Sequence, residues 1–498
     1  MTDAWSAPAR SGTDASMRVP DPLVAELARI WPDGGRAAPA RVTVLALLAG
    51  AVAAVLVVDS APGLGVLLTG VAVGAASLPT LRHRLGAHEL AFGALGVLLL
   101  SVVVVRDAPW LVALSLLAAF GLASYALVPT RGLLAGLLTG ISIPLAGLRC
   151  LPWLRRGLQR HDRARSWLRI ARVGALTGVL LLVFGALFAS ADAAFAALIP
   201  SVDLGLMPVR LITMAVVAAV ALSAAFLGAA PPRWDALEPP PARPVRTAEW
   251  LVPIAMLDAL FAGFVAVQLT VLFGGHRHVL ETAGLTYAEY ARAGFGQLVV
   301  VTLLTLSVVA ATVRWAPRET RVQRAALRAL LGALCVLALV IVGSALYRLH
   351  LYEEAFGFTR LRLFMNAFET WLGLLVGLVL LAGVRLRAAW LARAVVATAA
   401  VTLLTLAAIN PDAFVAQRNV DRYQATGKID LDYLQGLSAD AVPVLDTLPE
   451  PQRSCVLSGP PDWVGGGLGG WNLSRSRAAD LLDRSPVTAA VTCAGVPG

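Results

Sequence analysis

The chain has 498 residues, of which 58% are hydrophobic and only 14% charged, and its mean hydropathy is +0.74. A soluble domain of this size needs more charge to cover its surface, so lipid must be the solvent for much of the chain. The formal charge of +10 does not mark a nucleic-acid binder, because the arginines cluster at the ends of apolar runs, which is a topology signal rather than a groove-binding patch.

No signal peptide is apparent. Residues 1–41 read as a polar, disordered cytoplasmic segment in which Leu23 to Trp31 has the pattern of a short amphipathic helix. Apolar runs then recur at lengths that cross about 30 Å of hydrocarbon. They fall at 42–58, 63–78, 90–105, 110–127, 133–148, 173–189, 210–228, 251–273, 298–313, 326–347, 368–384 and 391–409. Runs rich in Leu, Ala and Val satisfy their backbone internally as helices, and the alternation of a β-barrel strand is missing. The fold class expected is all-α, a polytopic transmembrane helix bundle with a small extracytoplasmic C-terminal domain.

Arginine placement orients the bundle. The densest run, from Arg149 to Arg172, marks a cytoplasmic connection. The segment 133–148 carries Gly136, Gly140, Pro144 and Gly147 and reads as re-entrant or interfacial, which gives eleven spans with the N-terminus inside and the C-terminus outside. Twelve spans is the alternative. Residues 42–230 then form an N-terminal helix group, 231–249 a Pro-rich cytoplasmic linker, 250–409 a C-terminal helix group and 410–498 the outer domain. No repeat relates the two groups, so the inverted-repeat signature of many transporters is missing.

In the tail, Asp412 to Gln424 reads as a helix, with a break expected near Gly436. Ser438 is placed to cap the turn before Asp440 by accepting a backbone N–H, and 471–484 forms a last helix. Cys455 and Cys493 lie in this extracytoplasmic tail and are a disulfide candidate, the alternative being two free thiols. The tail has no histidine, so no metal site is expected. No cofactor is implied either, since phosphate-loop, dinucleotide and zinc-protease motifs are all missing. His276 and His278 are a weak pair in an outer loop.

Several residues could carry chemistry. Asp258 falls inside a span, where an ionised carboxylate is costly. It serves either a proton or cation relay or an interhelical hydrogen bond. Thr286 and Glu289 have capping-box spacing, so a short outer helix is expected there, ended by Gly294 and Gly296. Its tyrosines sit at headgroup depth, or Glu289 and Arg292 line a pocket. The next outer loop, 348–369, interleaves Glu353, Glu354, Arg360 and Arg362 with aromatics. Arg360 and Arg362 suit a phosphate or carboxylate held by forked hydrogen bonds, or pair with the two glutamates.

The runs Leu257-Asp258-Ala259-Leu260-Phe261, Thr286-Tyr287-Ala288-Glu289-Tyr290-Ala291-Arg292, Leu351-Tyr352-Glu353-Glu354-Ala355-Phe356-Gly357, Asn410-Pro411-Asp412-Ala413-Phe414 and Arg418-Asn419-Val420-Asp421-Arg422-Tyr423 resemble a bacterial membrane family. It is the domain of unknown function numbered 4173, overlapping the one numbered 4153, and the resemblance runs from about Ala191 to the C-terminus. It implies an integral protein of the bacterial cell membrane and no reaction. The function expected is transport or ligand binding at an outward-facing polar site formed by Asp258, Glu289, Arg292, Glu353, Arg360 and Arg362. The ligand would be a small molecule, an ion or a lipid, and the bilayer is the one partner implied. A membrane-embedded regulatory partner, or an enzyme acting on a lipid-linked envelope substrate, is the alternative.

Overall fold

The structure, a computed structural model, describes residues 29–32, 37–81, 86–129, 132–160, 205–237, 245–273, 287–386, 388–458, 467–487 and 493, with scattered positions between 173 and 188. Among them it is helical, without strands. Two shorter apolar helices, α1 (Ala40–Leu56) and α2 (Leu64–Ser77), are followed by α3 (Ala87–Val105), α4 (Pro109–Leu127), α5 (Leu133–Gly140) and α6 (Ser142–Arg160). Then come α7 (Met207–Ala229), α8 (Thr247–Phe273), α9 (Tyr287–Trp315), α10 (Arg321–Phe356), α11 (Arg360–Arg385) and α12 (Leu391–Ile409). Eight of these, α3, α4 and α7 to α12, are long and apolar enough to cross a membrane. That is the pattern of a multi-pass membrane protein, and Leu117, 71% exposed on α4, shows the kind of surface that only lipid solvates well. The expected span at 173–189 lies mostly outside the described residues, as do the arginines from 161 to 172 and the histidines at 276 and 278.

Helices α1, α2 and α7 pack together, α3 packs on α4, and α8, α9 and α11 surround α10. Helix α12 lies between α11 and α3 and so joins the two groups. At one end, the base, an aromatic cluster of Trp31, Trp153, Phe226 and Trp234 closes the first group. Trp31 donates its indole N–H to the Ala230 carbonyl and Trp234 donates to the Ser142 hydroxyl. Trp31 is only 5% exposed, so the expectation of disorder does not extend to it; a buried tryptophan beside a carbonyl is both packed and hydrogen-bonded.

Helices α5 and α6 meet at 68°, and both pack into the base cluster through Ala135, Ile143, Ala146 and Trp153. Gly136 of α5 accepts from the Tyr125 hydroxyl at the end of α4. Past the middle of α6, the Trp153 carbonyl accepts from the Ala38 N–H. Helix α5, about 12 Å long at 1.5 Å per residue, is too short to cross. Helix α6 carries Arg155, Arg156 and Arg160 and is amphipathic, which suits a membrane interface.

Two loop expectations are corrected. No short helix ends at Gly294 and Gly296; α9 runs unbroken from Tyr287 to Trp315. A break there would leave backbone groups without partners close to lipid, and that outweighs the ~1 kcal/mol that each glycine costs a helix. The loop expected over 348–369 shrinks to 357–359, because α10 continues to Phe356 and α11 starts at Arg360 behind a Thr359 cap. Gly357 makes the turn at φ +79°, and a Cβ there would meet the Asn419 side chain at 2.6 Å.

The tail folds into a cap over the other end of the bundle. It comprises α13 (Pro411–Thr426), α14 (Leu431–Gln435), α15 (Val442–Leu445), α16 (Gln452–Leu457) and α17 (Leu473–Arg484). Its core is small and built on Val420, Leu434, Leu445 and Cys455. A disulfide joins Cys455 to Cys493, with Cα atoms 5.0 Å apart, and Arg453 ties Asp446 to the Ser485 carbonyl at the end of α17.

The cap is held by the free backbone ends of the membrane helices. The first N–H groups of α2, Leu64 and Gly65, donate to the carbonyls of Trp471 and Gly469. Asn472 donates to the Val103 and Arg106 carbonyls at the end of α3. Asp440 accepts from the N–H groups of Asp107 (2.7 Å) and Ala108 (3.0 Å) at the start of α4. The Tyr433 hydroxyl accepts from the Arg360 N–H at the start of α11, and Arg422 donates to the Ala355 carbonyl at the end of α10. Arg106, within the bundle, closes α12 by donating to the Ala407 carbonyl.

Asp440 is the centre of this network. It is 4% exposed, accepts also from the hydroxyls of Ser438 and Ser474, and lies 3.9 Å from Arg106. With its amide turned to suit its surroundings, Asn410 donates to Asp440 and accepts from Arg106. Ser438 therefore does not cap the turn as expected; its hydroxyl donates to Asp440 because that carboxylate is the stronger acceptor. Beside it, burial pushes the Asp107 carboxyl up, against the pull of Arg475, which donates to it at 2.6 Å. Replacing Asp440 by alanine strands two N–H groups and Arg106 together, a loss of about 3 kcal/mol or more. Asp440→Ala should lower the unfolding temperature of the detergent-solubilised protein and open the tail to trypsin. An unchanged melting curve and digestion pattern would contradict the assignment.

Candidate functional site

The second helix group carries the site. In α8, Asp258 lies about 16 Å from the helix start at 1.5 Å per residue. Both its carboxylate oxygens are buried, and no protein group hydrogen-bonds to either. Cys335 on α10 belongs to the apolar cluster that takes in Leu257 and Phe261 on either side of Asp258. In α11, Glu369 lies about 14 Å from the cap end of its helix by the same rise. It is 0% exposed, and again neither oxygen has a hydrogen-bond donor.

Sequence reasoning missed Glu369, because the outer loop was drawn too long and placed it at a span boundary. The signal that could have found it was Thr359 followed by a helical pattern, which starts α11 well before Glu369.

A series of polar groups runs along α10 between these levels and the cap. Nearest the middle, Gln268 of α8 accepts from Ser344 (3.2 Å) and from Arg348. Higher up, Glu353, 3% exposed, accepts from Asn366 of α11 at 2.7 Å. At the top, exposed His350 and Glu354 lie 3.2 Å apart. Toward the base the packing changes. Trp250, Ile254, Val309, Leu327, Leu331 and Leu334 form a continuous apolar cluster below Asp258.

The remaining predicted residues are dispersed. Glu289 and Arg292 lie on α9, but their side chains fall outside the described residues. Arg362 does not pair with a glutamate. It lies over the Tyr352 ring at 4.3 Å and donates to the carbonyls of Phe356 and Gly357, closing the end of α10. Arg360 forks onto both oxygens of Asp412, a cap residue with 0% exposure. Burial acts to raise the Asp412 carboxyl, but the Arg360 fork and the Ser438 N–H outweigh it and hold it below the usual carboxylate range. Glu353, Arg360 and Arg362 thus have protein partners, whereas Asp258 and Glu369 have no hydrogen-bond partner among the described residues. Among the described residues no group of three or more metal-ligating side chains occurs.

The Arg360–Asp412 pair has a signed pH consequence. A carboxyl whose folded pKa is depressed contributes stability above its unfolded value, near 4, and loses it as pH falls through the folded value. Asp412→Asn should cost about 3 kcal/mol at neutral pH. Chemical unfolding of both proteins should show this gap constant from pH 8 to about 5 and shrinking below about 4. A gap that widens with acid would contradict the pairing.

A family model described as Domain of unknown function (DUF4153) matches residues 94–448. The match starts earlier than the resemblance drawn from the motifs, stops before the last cap helix, and carries the number 4153 rather than 4173. Neither the curated proteins nor the solved structures gave a match. With more than half of its length covered, the chain belongs to the family of domain of unknown function 4153.

Proposed function

We propose that the protein is a membrane transporter of a small cation, whose polar site lies among α8, α10 and α11 and opens toward the cap. The observation that carries this reading is the pair of buried carboxylates without partners, Asp258 and Glu369. Burying a carboxyl costs several kcal/mol, while one interhelical hydrogen bond returns about 1 kcal/mol. Neither residue makes even that bond, so packing alone would favour leucine at both positions. A carboxylate offers only acceptor oxygens, which makes its natural ligand a cation. The polar series toward the cap favours access from that side, through the apolar layer of Phe261, Val265, Leu298 and Ile341 that separates Asp258 from Gln268.

The topology we assign supports the same direction. Helix α6 ends at the base. Helix α7 ends there too, packed into the base cluster, so its start lies about 34 Å away at the cap end. The apolar run of the sequence at 173–189, counted with α1 to α4 and α7 to α12, makes eleven spans. Arg155, Arg233, Arg246, Arg318 and Arg324 flank helices at the base, which favours a cytoplasmic base and N-terminus and an extracytoplasmic cap. The disulfide suits that compartment.

Transport is tested by reconstituting the purified protein into liposomes and following H⁺, Na⁺ and K⁺ separately. Wild type should move one of them faster than empty vesicles, and Asp258→Asn should slow it at least tenfold at unchanged purified yield. No cation moving above background, or an Asp258→Asn protein as fast as wild type, would contradict the proposal.

A further inference from the structure

We infer that the cation held at Glu369 and Asp258 is the proton, so that both residues are carried as neutral carboxylic acids inside the bundle; this rests on the cation-transport reading above. A desolvated metal ion needs several oxygen ligands around it. Membrane transporters supply them from unwound helices, whose backbone carbonyls are free. Neither source is present at these two residues. Helices α10 and α11 run unbroken past both levels. In α8 the one internal proline, Pro253, frees the Glu249 carbonyl, which lies about 13 Å nearer the base than Asp258.

Among the described residues no group of three or more metal-ligating side chains surrounds either carboxylate, and the neighbouring polar side chains are turned to other partners. Gln268 accepts from Ser344 and Arg348, and Glu353 accepts from Asn366. Thr370 donates to the Asn366 carbonyl, and on α9 Thr302 and Thr305 bond their own helix. Glu369 and Asp258 are each left as a single carboxylate among apolar neighbours, and one proton neutralises a single carboxylate completely.

Among the described residues, charged groups on the packed helices do not supply the neutralisation either, and Arg348 of α10 donates to Gln268. Among the groups facing α11, His350 pairs with Glu354 and Asp412 with Arg360, while Arg418 lies over Phe358 and Phe414. Arg314 and Arg393 sit at the base ends of α9 and α12. On α10, opposite α8, Cys335 is the titratable group beside Asp258, and Arg328 lies about two turns nearer the base.

By their registers on α10 the two carboxyls are about 15 to 20 Å apart along the bundle. They are therefore separate stops. A proton released by Glu369 leaves its carboxylate behind and travels on water past the hydrogen-bonding groups of Gln268 and Ser344, and the Asp258 carboxylate receives it in turn.

Infrared spectroscopy of the reconstituted protein reads protonation directly, whether or not transport is measured. At neutral pH the protonated-carboxyl C=O band should be present in wild type, shift in D₂O, and lose intensity in both Glu369→Gln and Asp258→Asn. Saturating Na⁺ or K⁺ should leave it unchanged. Proton flux in liposomes should then persist without Na⁺ or K⁺. An identical band in wild type and Glu369→Gln, or a band removed by Na⁺, would overturn the inference while leaving cation transport standing. The band with no flux of any cation would instead overturn transport and leave proton binding standing.

Discussion

Every α-helix ends with backbone groups that its own hydrogen bonding cannot satisfy, and at a membrane surface those ends sit where the protein is least able to leave them bare. At the cap end of this bundle the tail answers that need. Carbonyls of Gly469 and Trp471 meet the start of α2, Asp440 meets the start of α4, Tyr433 the start of α11, Asn472 the end of α3 and Arg422 the end of α10. An unmet buried donor costs about 1–3 kcal/mol. Several such ends together exceed what the thin apolar core of the cap can contribute alone, so cap and bundle stabilise one another.

This division explains why the motifs are where they are. Asn410, Asp412 and Asn419 do not line a ligand site. Asn410 bridges Asp440 and Arg106 at the turn into the cap, Asp412 receives the Arg360 fork, and Asn419 brackets the Phe358 backbone with both ends of its amide. Gly357 is glycine because its positive φ and the Asn419 contact leave no room for a Cβ. The charged, aromatic loop that looks like a binding surface in sequence is mostly a joint. Among the described residues, the carboxylates left without a hydrogen-bond partner are the two deeper in the bundle, Asp258 and Glu369.

Legibility from sequence followed the range of the physics. The long apolar runs were legible because each depends on composition over one helix length. The weakness of 133–148 was legible from its glycines and proline, and the helix is broken there, α5 meeting α6 at 68°. Partners distant in the chain were not legible. Nothing near Arg360 points to Asp412, and nothing near Asp440 points to Asp107 and Ser474. Loop lengths were the other failure. Reading 348–369 as a loop hid the helix start at Arg360 and with it the depth of Glu369. Asp258 was legible because it interrupts an apolar run well away from either end.

The central structural claim is that the cap closes the ends of the membrane helices. Backbone hydrogen–deuterium exchange on the intact protein tests it at single amides. In a helix with a free start the first N–H groups exchange quickly, since nothing protects them. The account predicts slow exchange at Leu64, Gly65, Asp107, Ala108 and Arg360, comparable with amides in the middle of the same helices. Fast exchange at these five positions, with the helix interiors still protected, would contradict it.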